Sequence, residues 1–424
     1  MPLLALIALV GLLAPSAAAG WPKLGGYTSW GEARSAALEL ASLAPTQRRG
    51  LFAAWNLQHG KKVDPRTAEA RFHAFEDSLD AVIAHNTQPE GASTYYKGLN
   101  TYSDMSFDRF QAQVLMPAQP ASVAQQATAD VLPWRPQQMA TALSIPDAFD
   151  WRDQGVMPPV KYQGECSACW AFAAAGAVEI QAAISGVMPL VLYPNGTGTP
   201  DLSEQQLISC VTPQNGFNIS QGCSGGLTEP CQVTSATAPP DGSLAVGPSP
   251  GFLAVPATPE GIMQALVTTG PVVHYFNATP AFKFYSGGIW PASECAETGS
   301  FNHAMIIIGY NVTAGIGSPS SYWTVRNSYG FWGEGAEAEK GYARIQMTTT
   351  TYGACSMYLG LIQSALPSIP LPKPPPPPLS PSPPPPSPPP PKKGNGGGGG
   401  NGGGNGGGNG GGKSPKPNPK RKPM

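Results

Sequence analysis

The segment Gln163–Phe172 reads QGECSACWAF and leads into a run of apolar residues that continues to Val187. A run that is apolar nearly all round predicts a helix buried at the centre of a domain. Cys169 stands at the start of this helix, where the positive end of the helix dipole favours a thiolate. A thiolate is the nucleophile that acyl transfer requires, so Cys169 is a candidate reacting group. The alternative is an inert thiol packed as a small hydrophobe, which is the commoner role of a free cysteine.

The start of the chain predicts export. Residues 1–19 form an apolar run ending in Ala17-Ala18-Ala19, which indicates a cleaved signal peptide more than a buried N-terminal helix. No later stretch is long and apolar enough for a membrane span, so we expect none. Glycosylation sequons at four positions fit the same route: Asn195, Asn218, Asn277 and Asn311.

The cysteine count makes one thiol exceptional. The chain has seven cysteines, all after residue 165. In a secreted protein an odd number leaves one thiol outside the disulfide framework. The sequence alone does not choose among the fifteen ways of pairing the other six.

A nucleophilic thiol also needs a base and a group that orients the base. His303 lies in FNHA, at the mouth of an apolar strand, whereas His274 lies inside the apolar run VVHYF and is expected to be packed there without a role. Asn327, in RNSYG, follows another strand and could orient the histidine, although alone it would be an ordinary turn residue.

Residues 20–144 are expected to form a separate, mainly helical region. Five residues at spacings of three and four predict one face of a helix: Arg71, Phe75, Ser78, Val82 and Asn86. The stretch Gly98–Asp104 is rich in turn residues and could border a strand. Residues 111–144 contain much Gln, Ala and Pro without periodicity, which predicts a linker.

Residues 145–365 predict an α+β domain of two packed lobes. The central helix comes first, and the second half alternates short β-rich runs with turns. These runs are Gly270–Val273, Ala304–Tyr310, Tyr322–Arg326 and Gly341–Ile345.

The tail, residues 366–424, differs in kind. Pro374–Pro391 is almost all proline and predicts a stiff polyproline rod, while Gly394–Gly412 predicts a flexible coil. The tail is basic and has no acidic residue, so a formal net charge of -1 for the chain leaves an acidic body. An acidic body gives no support to nucleic-acid binding.

The motifs together resemble the papain family of cysteine peptidases. Its local signature is C-G-[SA]-C-[WY] with His and Asn about 130–150 residues downstream; here Ser167 replaces the glycine, and His303 and Asn327 follow Cys169 by 134 and 158 residues. The helix face and Gly98–Asp104 resemble the inhibitory pro-segment of these enzymes, with Tyr102 in place of Phe. The sequence from Ile145 resembles a mature N-terminus.

The resemblance implies a set of residue roles. It implies a papain-like two-lobed fold behind a helical pro-domain, with the bridges Cys166–Cys223, Cys210–Cys231 and Cys295–Cys355. Cys169, His303 and Asn327 are the implied catalytic residues, with the Gln163 amide in the oxyanion hole. The implied substrate-binding residues are Gly225, Gly226, Leu227, Thr228, Tyr275, Phe301, Asn302 and Gly360. Tyr329 stands where the family has a tryptophan that shields the Asn–His hydrogen bond.

The sequence thus predicts a cysteine endopeptidase that acts on proteins and is made as a zymogen, with its own pro-segment (core about 50–110) as inhibitor. No metal or organic cofactor is implied, and a monomer is expected. The compartment is the secretory pathway, with the cell wall, extracellular space, vacuole or lysosome as destination. The alternative is a structural cell-wall glycoprotein with a weakly active or inactive peptidase domain, whose tail contacts wall polysaccharide or glycoprotein.

Overall fold

The computed structural model describes residues 21–89, 91–129, 131–135, 145–186, 191–192, 198–199, 201–211, 223, 251–295, 299–333 and 340–364. No helix in these ranges is long and apolar enough to cross a membrane. The elements fall into two groups, one before and one after residue 145.

The first group is mainly helical. Its helices are α1 (Trp30–Ala41), α2 (Pro45–Gln58), α3 (Ala68–Asn86), α4 (Phe107–Gln113) and α5 (Ala121–Ala129), and its strands are β1 (Tyr95–Lys97), β2 (Gln119–Pro120) and β3 (Leu132–Pro133). The predicted helix face lies in α3, where Phe75, Ser78, Val82 and Asn86 are buried. With residues of α1 and α2 this face forms a separate core: Leu40, Leu51, Trp55, Phe75, Leu79, Val82 and Leu99.

The prediction for residues 111–144 differs from the structure. The described part of this stretch contains the end of α4, then β2, α5 and β3, whereas the sequence predicted a linker. These elements are short, and β2 and β3 pair with strands that lie far along the chain. A two-residue strand has no periodicity to detect, because its partner and not its own sequence stabilises it.

The second group carries the central helix and most strands. The helices are α6 (Cys169–Ser185), α7 (Glu204–Cys210) and α8 (Pro259–Thr268); the strands are β4 (Ala148–Asp150), β5 (Val191–Leu192), β6 (Gly198–Thr199), β7 (Phe252–Ala254), β8 (Val272–Phe276), β9 (Tyr285–Trp290), β10 (Ser300–Phe301), β11 (His303–Asn311), β12 (Tyr322–Arg326), β13 (Tyr342–Gln346) and β14 (Ile362–Ser364). Helix α6 is buried over most of its length, as its apolar sequence predicts, and Gly186 ends it in the left-handed conformation at φ 63°.

Within the ranges that the structure describes, ten strands form one sheet in the order β1-β9-β13-β12-β11-β8-β14-β7-β3, with β4 also paired to β11. Both outer strands of this order, β1 and β3, come from the region before residue 145. Since an unpaired edge exposes backbone N–H and C=O groups, the first group of elements covers both edges of the sheet. Large aromatic side chains fill the core beneath it: Phe276, Phe282, Tyr285, Trp290 and Trp332.

A buried charge cluster fixes the loop that leads into α6. Lys161 donates to Glu179 in α6 at 2.6 Å and to Glu204 in α7 at 2.8 Å, and it forms an ion pair with Asp201. The Glu179 side chain is fully buried. A buried carboxylate is costly without a partner, so this cluster holds the segment of Lys161 against two helices.

Candidate functional site

Strand pairing brings His303 and Asn327 together. His303 begins β11, Asn327 follows the end of β12, and the two strands are antiparallel neighbours with Ile306 opposite Arg326. The end of β12 therefore lies beside the start of β11. His303 Nε2 is 2.8 Å from Asn327 Oδ1, and both side chains are buried.

The hydrogen bonds around Asn327 fix which imidazole nitrogen carries the proton. The backbone N–H of Ser328 also donates to Asn327 Oδ1 at 2.8 Å, so this atom is the amide oxygen and can only accept. His303 Nε2 must then carry the hydrogen, and Nδ1 carries the lone pair of the neutral ring. Nδ1 is buried and has no hydrogen-bond partner. The nitrogen left available as a base is therefore Nδ1.

Tyr329 covers this pair. Its ring stacks on the His303 ring with 4.8 Å between centroids and 29° between planes. The phenol therefore takes the shielding position at which the family resemblance implies a tryptophan. Its hydroxyl is fully buried without a hydrogen-bond partner. Above it, Tyr102 and Phe110 of the first group make edge-to-face contacts with the Tyr329 ring.

Among the cysteines that the structure describes, Cys169 is the free thiol, and it is completely buried at the start of α6. Burial raises the pKa of the thiol to about 12, and it outweighs the nearby backbone groups of Ala304, Trp170 and Met116, which favour the thiolate. Burial also lowers the pKa of His303 to about 4, and the hydrogen bond that His303 donates to Asn327 opposes this shift only in part. Burial thus favours the neutral form of both groups, and His303 Nδ1 has no hydrogen-bond partner, the Cys169 thiol included.

Gln163 is buried, and its side-chain amide is fully engaged. Its Nε2 donates to the carbonyl oxygen of Val114 at 2.9 Å and to that of Cys166 at 2.7 Å. Its Oε1 accepts from Ser328 Oγ at 2.6 Å, and its backbone N–H donates to the Ser328 carbonyl. A carbonyl oxygen from the region before residue 145 thus occupies a donor that is implied to form an oxyanion hole.

The chain after Val114 continues across the site. The Met116 N–H donates to the Asn302 carbonyl at 2.8 Å, and β2 pairs antiparallel with β10, Gln119 opposite Phe301. We call residues 114–120 the cover segment. Its backbone is hydrogen-bonded to Gln163 and Asn302, two residues for which the family resemblance implies roles toward the substrate.

Charged groups fix the cover segment on its N-terminal side. The Asp104 side chain is completely buried and forms ion pairs with Lys61 and Arg71. Arg71 and Arg109 both reach Glu165, which lies in the loop of Gln163, at 3.5 Å and 2.7 Å. Two arginines from the first group therefore clamp the loop next to the candidate oxyanion donor.

Lys283 adds an unusual contact between the two groups of elements. It is buried, its ammonium donates to the Met105 carbonyl, and it lies over the ring of Phe284 at 4.7 Å. Burial lowers the pKa of Lys283 to about 7, because the nearby carboxylate of Asp104 compensates only in part.

A stacked aromatic pair joins β8 and β10. The rings of Tyr275 in β8 and Phe301 in β10 are 4.0 Å apart and nearly parallel at 9°. Gly360 faces this pair at φ +63°, and a Cβ there would collide with the Tyr275 ring. Asn302 is buried, and its side chain exchanges hydrogen bonds with the backbone of Ala278. The other four expected substrate-binding residues lie outside the described residues: Gly225, Gly226, Leu227 and Thr228.

Two of the three expected disulfides are present in the described residues, Cys166–Cys223 and Cys295–Cys355. Cys210 is also disulfide-bonded, and its expected partner, Cys231, lies outside the described residues. His274 is completely buried as predicted, with Nδ1 2.8 Å from the Tyr275 carbonyl oxygen.

The sequence did not identify the residues that close the site. Val114 and Met116 act through backbone atoms, which carry no sequence signal, and Ser328 is an ordinary serine beside a predicted site residue. Lys283 stands between two phenylalanines in AFKFY, where a buried position is indicated. A lysine in such an apolar context was the one feature of the sequence that could have pointed to a residue that closes the site.

Comparisons with known proteins agree with this arrangement. Residues 145–237 and 245–362 match the papain family cysteine protease family, and residues 52–110 match the cathepsin propeptide inhibitor domain (I29). Pro-cathepsin H of Bos taurus is 31% identical over 332 residues, which are 72% of this chain and 88% of that protein. The oryzain gamma chain of Oryza sativa subsp. japonica is 29% identical, over 75% of this chain and 85% of that protein.

Solved structures show the same relationship. Digestive procathepsin L 3 of the Tenebrio molitor larval midgut has a TM-score of 0.58 and 25% identity, and the match covers 75% of this chain and 99% of that one. The chain belongs to the papain family of cysteine proteases. It is a cysteine-type endopeptidase with the papain α+β fold, and its propeptide inhibitor domain makes it a zymogen.

Proposed function

We propose that Cys169 is the nucleophile and His303 the general base of this peptidase. His303 Nδ1 takes the thiol proton and forms a thiolate–imidazolium pair, and the thiolate attacks the substrate carbonyl. The imidazolium then gives its proton to the leaving amine, and water hydrolyses the thioester. Asn327 holds the ring so that Nδ1, and not Nε2, is available.

The oxyanion of the tetrahedral intermediate is held by Gln163 Nε2 and the Cys169 backbone N–H. The observation that carries this proposal is the hydrogen bond from Gln163 Nε2 to the Val114 carbonyl at 2.9 Å, because this amide already binds a peptide carbonyl oxygen. Preorganised donors of this kind stabilise developing negative charge in a site without water.

The cover segment accounts for the inactivity of the zymogen. The pKa shifts of Cys169 and His303 both arise mainly from burial, and Met116 of the cover segment lies close to the Cys169 thiol. Displacing it admits water, which lowers the cost of charging both groups and permits the ion pair. The zymogen is thus inactive for two reasons: substrate is excluded and the nucleophile is protonated.

The decisive experiment uses the chain after removal of its pro-segment. Cys169→Ala abolishes hydrolysis of a fluorogenic peptide, and an epoxide-type thiol reagent labels the processed parent but not the intact precursor. His303→Ala also abolishes hydrolysis, and His274→Gln serves as the matched histidine control and retains it. Unchanged hydrolysis in Cys169→Ala contradicts the proposal.

The stacked pair Tyr275–Phe301, together with Gly360, selects the substrate by its side chain. By family position Gly226 and Asn302 hold the substrate backbone, while Gly225, Leu227 and Thr228 complete the binding site. The stacked aromatic rings offer an apolar surface that Tyr275 narrows, which favours a hydrophobic side chain two residues before the cut. Strong preference for arginine there in a matched peptide series contradicts this assignment.

The route is the secretory pathway, as is typical of cathepsin-type relatives. We assign residues 1–19 to a signal peptide and the tail to contact with cell-wall polysaccharide or glycoprotein, on the proline-rich and basic sequence of residues 366–424. Fractionation of cells that produce the full chain or a chain ending at residue 365 tests the tail. Equal recovery of both forms from the wall fraction contradicts its assignment.

A further inference from the structure

The segment Val131–Arg135 lies between the two family matches, which end at 110 and resume at 145. It is ordered against the catalytic domain. Its strand β3 pairs in parallel with β7, Leu132 opposite Leu253 and Pro133 opposite Ala254. On its other side β7 pairs with β14, so β7 would be an edge strand of the sheet without this segment.

Trp134 is the side chain that fastens the segment. Its backbone N–H donates to the Ala254 carbonyl at 2.8 Å, and its indole N–H donates to Thr269 Oγ1 at 3.1 Å. The indole belongs to the main hydrophobic core and is 6% exposed, whereas Leu132 is 73% exposed. A single buried tryptophan with its N–H satisfied has the features of an interface anchor.

This contact is separate from the catalytic cleft. Thr269 lies just before the start of β8, whereas Phe276 at the other end of β8 is the residue that pairs with His303. Strand residues rise about 3.3 Å each, so the two ends of β8 are roughly 13 Å apart. Trp134 therefore closes no part of the substrate site itself.

The anchor instead limits the movement of the cover segment. Just after that segment the Ala121 N–H donates to the Gly299 carbonyl at 2.5 Å, and α5 then leads directly to β3. The cover segment is thus fixed before its start by the Asp104 ion pairs and beyond its end by Trp134. When one end is released, the other keeps the segment at a high effective concentration over the cleft.

We propose that the β7 edge together with Thr269 is a second docking site for the pro-segment, a site that receives the extended Leu132-Pro133-Trp134 sequence and keeps the cleft closed. The partner of this surface is the chain's own residues 131–135. Inhibition is then bivalent: the inhibitor-domain contacts and the Trp134 contact act together. The inference rests on the zymogen described above, but not on which residue performs catalysis.

The test measures access to Cys169 in the full-length precursor by alkylation with iodoacetamide. A His303→Ala background prevents self-processing and leaves the thiol in place, so the readout does not depend on peptidase activity. Truncating a buried tryptophan removes a large contact area, so Trp134→Ala is expected to raise the alkylation rate about tenfold or more. Leu132→Ala, on the same strand but exposed, is the matched control and leaves the rate within about twofold.

Two milder variants keep the proposal testable if Trp134→Ala does not fold. Thr269→Val and Trp134→Phe keep most of the side-chain volume and remove the indole hydrogen bond, and Thr269→Val also removes the 3.4 Å contact with Thr268 Oγ1. Each is expected to raise the alkylation rate by a smaller factor than Trp134→Ala, and hydrogen exchange of the β12 amides reports whether the domain stays folded. If the β12 amides of Trp134→Ala lose their protection from hydrogen exchange, the domain is no longer folded, and the alkylation rates of the two milder variants test the proposal instead. Alkylation as slow as in the parent, in folded Trp134→Ala or in both milder variants, overturns the proposal.

Discussion

Ser328 Oγ donates to Gln163 Oε1 at 2.6 Å, and this bond turns the amide N–H groups of Gln163 toward the carbonyl of Val114. In the proposed mechanism the same relationship sets the direction of the oxyanion donor once the cover segment has left. Two residues that lie far apart in the sequence then have separate parts in the proposed oxyanion hole, Gln163 as donor and Ser328 as the group that orients it.

We expect Gln163→Ala to lower kcat of the processed enzyme by about 10²–10³, the range for loss of one oxyanion donor. KM is expected to change little, because the interaction strengthens mainly in the transition state. Steady-state kinetics on a fluorogenic peptide measures both constants. Ser328→Ala leaves the Gln163 amide in place but free to rotate, so the loss of kcat is expected to be smaller. An equal or larger loss in Ser328→Ala contradicts the assignment of Gln163 as donor and Ser328 as the group that orients it.

Asn327→Ala is expected to lower kcat by about 10²-fold, because His303 loses the acceptor that fixes its ring and tautomer, and small misplacements of a catalytic group have effects of this size. Asn327→Asp keeps an acceptor at the same place and is expected to retain more activity than the alanine variant. The pH profile of kcat/KM checks the role, since a purely structural defect does not move it. Full activity in Asn327→Ala excludes the orienting role.

Tyr329→Phe is expected to keep kcat within about twofold, since the buried hydroxyl has no partner and its loss removes only an unsatisfied polar group. Tyr329→Ala exposes the His303–Asn327 hydrogen bond to water and is expected to lower kcat by about tenfold or more. Kinetics of the two variants with circular dichroism as a fold control test this. Equal losses in both variants would show that the hydroxyl, not the ring, is needed.

We expect the pH at which the precursor opens to depend on His59. Its ring packs on Trp55 and on Phe331 of the catalytic domain, and its pKa is lowered to about 4, first by burial and then by the charges of Lys61 and Lys340. The released pro-segment exposes the ring, whose pKa then returns toward 6.5. The docked state thus binds fewer protons, so docking is fully supported above pH 6.5 and weakens as the pH falls toward 4.

His59→Phe keeps the ring contacts and removes this titration. The alkylation rate of Cys169 in the full-length precursor is therefore expected to rise less steeply between pH 6.5 and 4 than in the parent. The exposed His73→Ala is the matched control on the neighbouring helix and leaves the slope unchanged. A His59→Phe slope equal to that of the parent assigns the acid response to other groups.

Tyr275→Ala is expected to widen the apolar pocket beside Phe301. The ratio of kcat/KM for peptides with phenylalanine to those with valine, two residues before the cut, should then rise by about tenfold, in the range for added volume in a hydrophobic pocket. A matched peptide series measures the ratio. Tyr275→Phe keeps the ring and leaves the ratio near the parent value; a ratio unchanged in Tyr275→Ala places the pocket elsewhere.

Much of the fold could be read from local patterns. The helix face of α3, the buried helix α6 and the four β-rich runs of the second half all follow from apolar periodicity, because each element buries a continuous face. Residues 111–144 could not be read in this way. Their short strands are stabilised by β7 and β10, and nothing within so short a segment indicates a partner more than a hundred residues away.

The sequence by itself determined which side chains could carry the chemistry: one cysteine outside an even framework, one histidine before a strand and one asparagine after the next. Side-chain identity and spacing specify this, since local chemistry needs particular atoms. Only the tertiary structure decided that Asn327 fixes the His303 tautomer, that Tyr329 covers the pair and that the Val114 carbonyl lies on Gln163. These depend on strand register and on backbone groups, which every residue possesses and which only folding brings together.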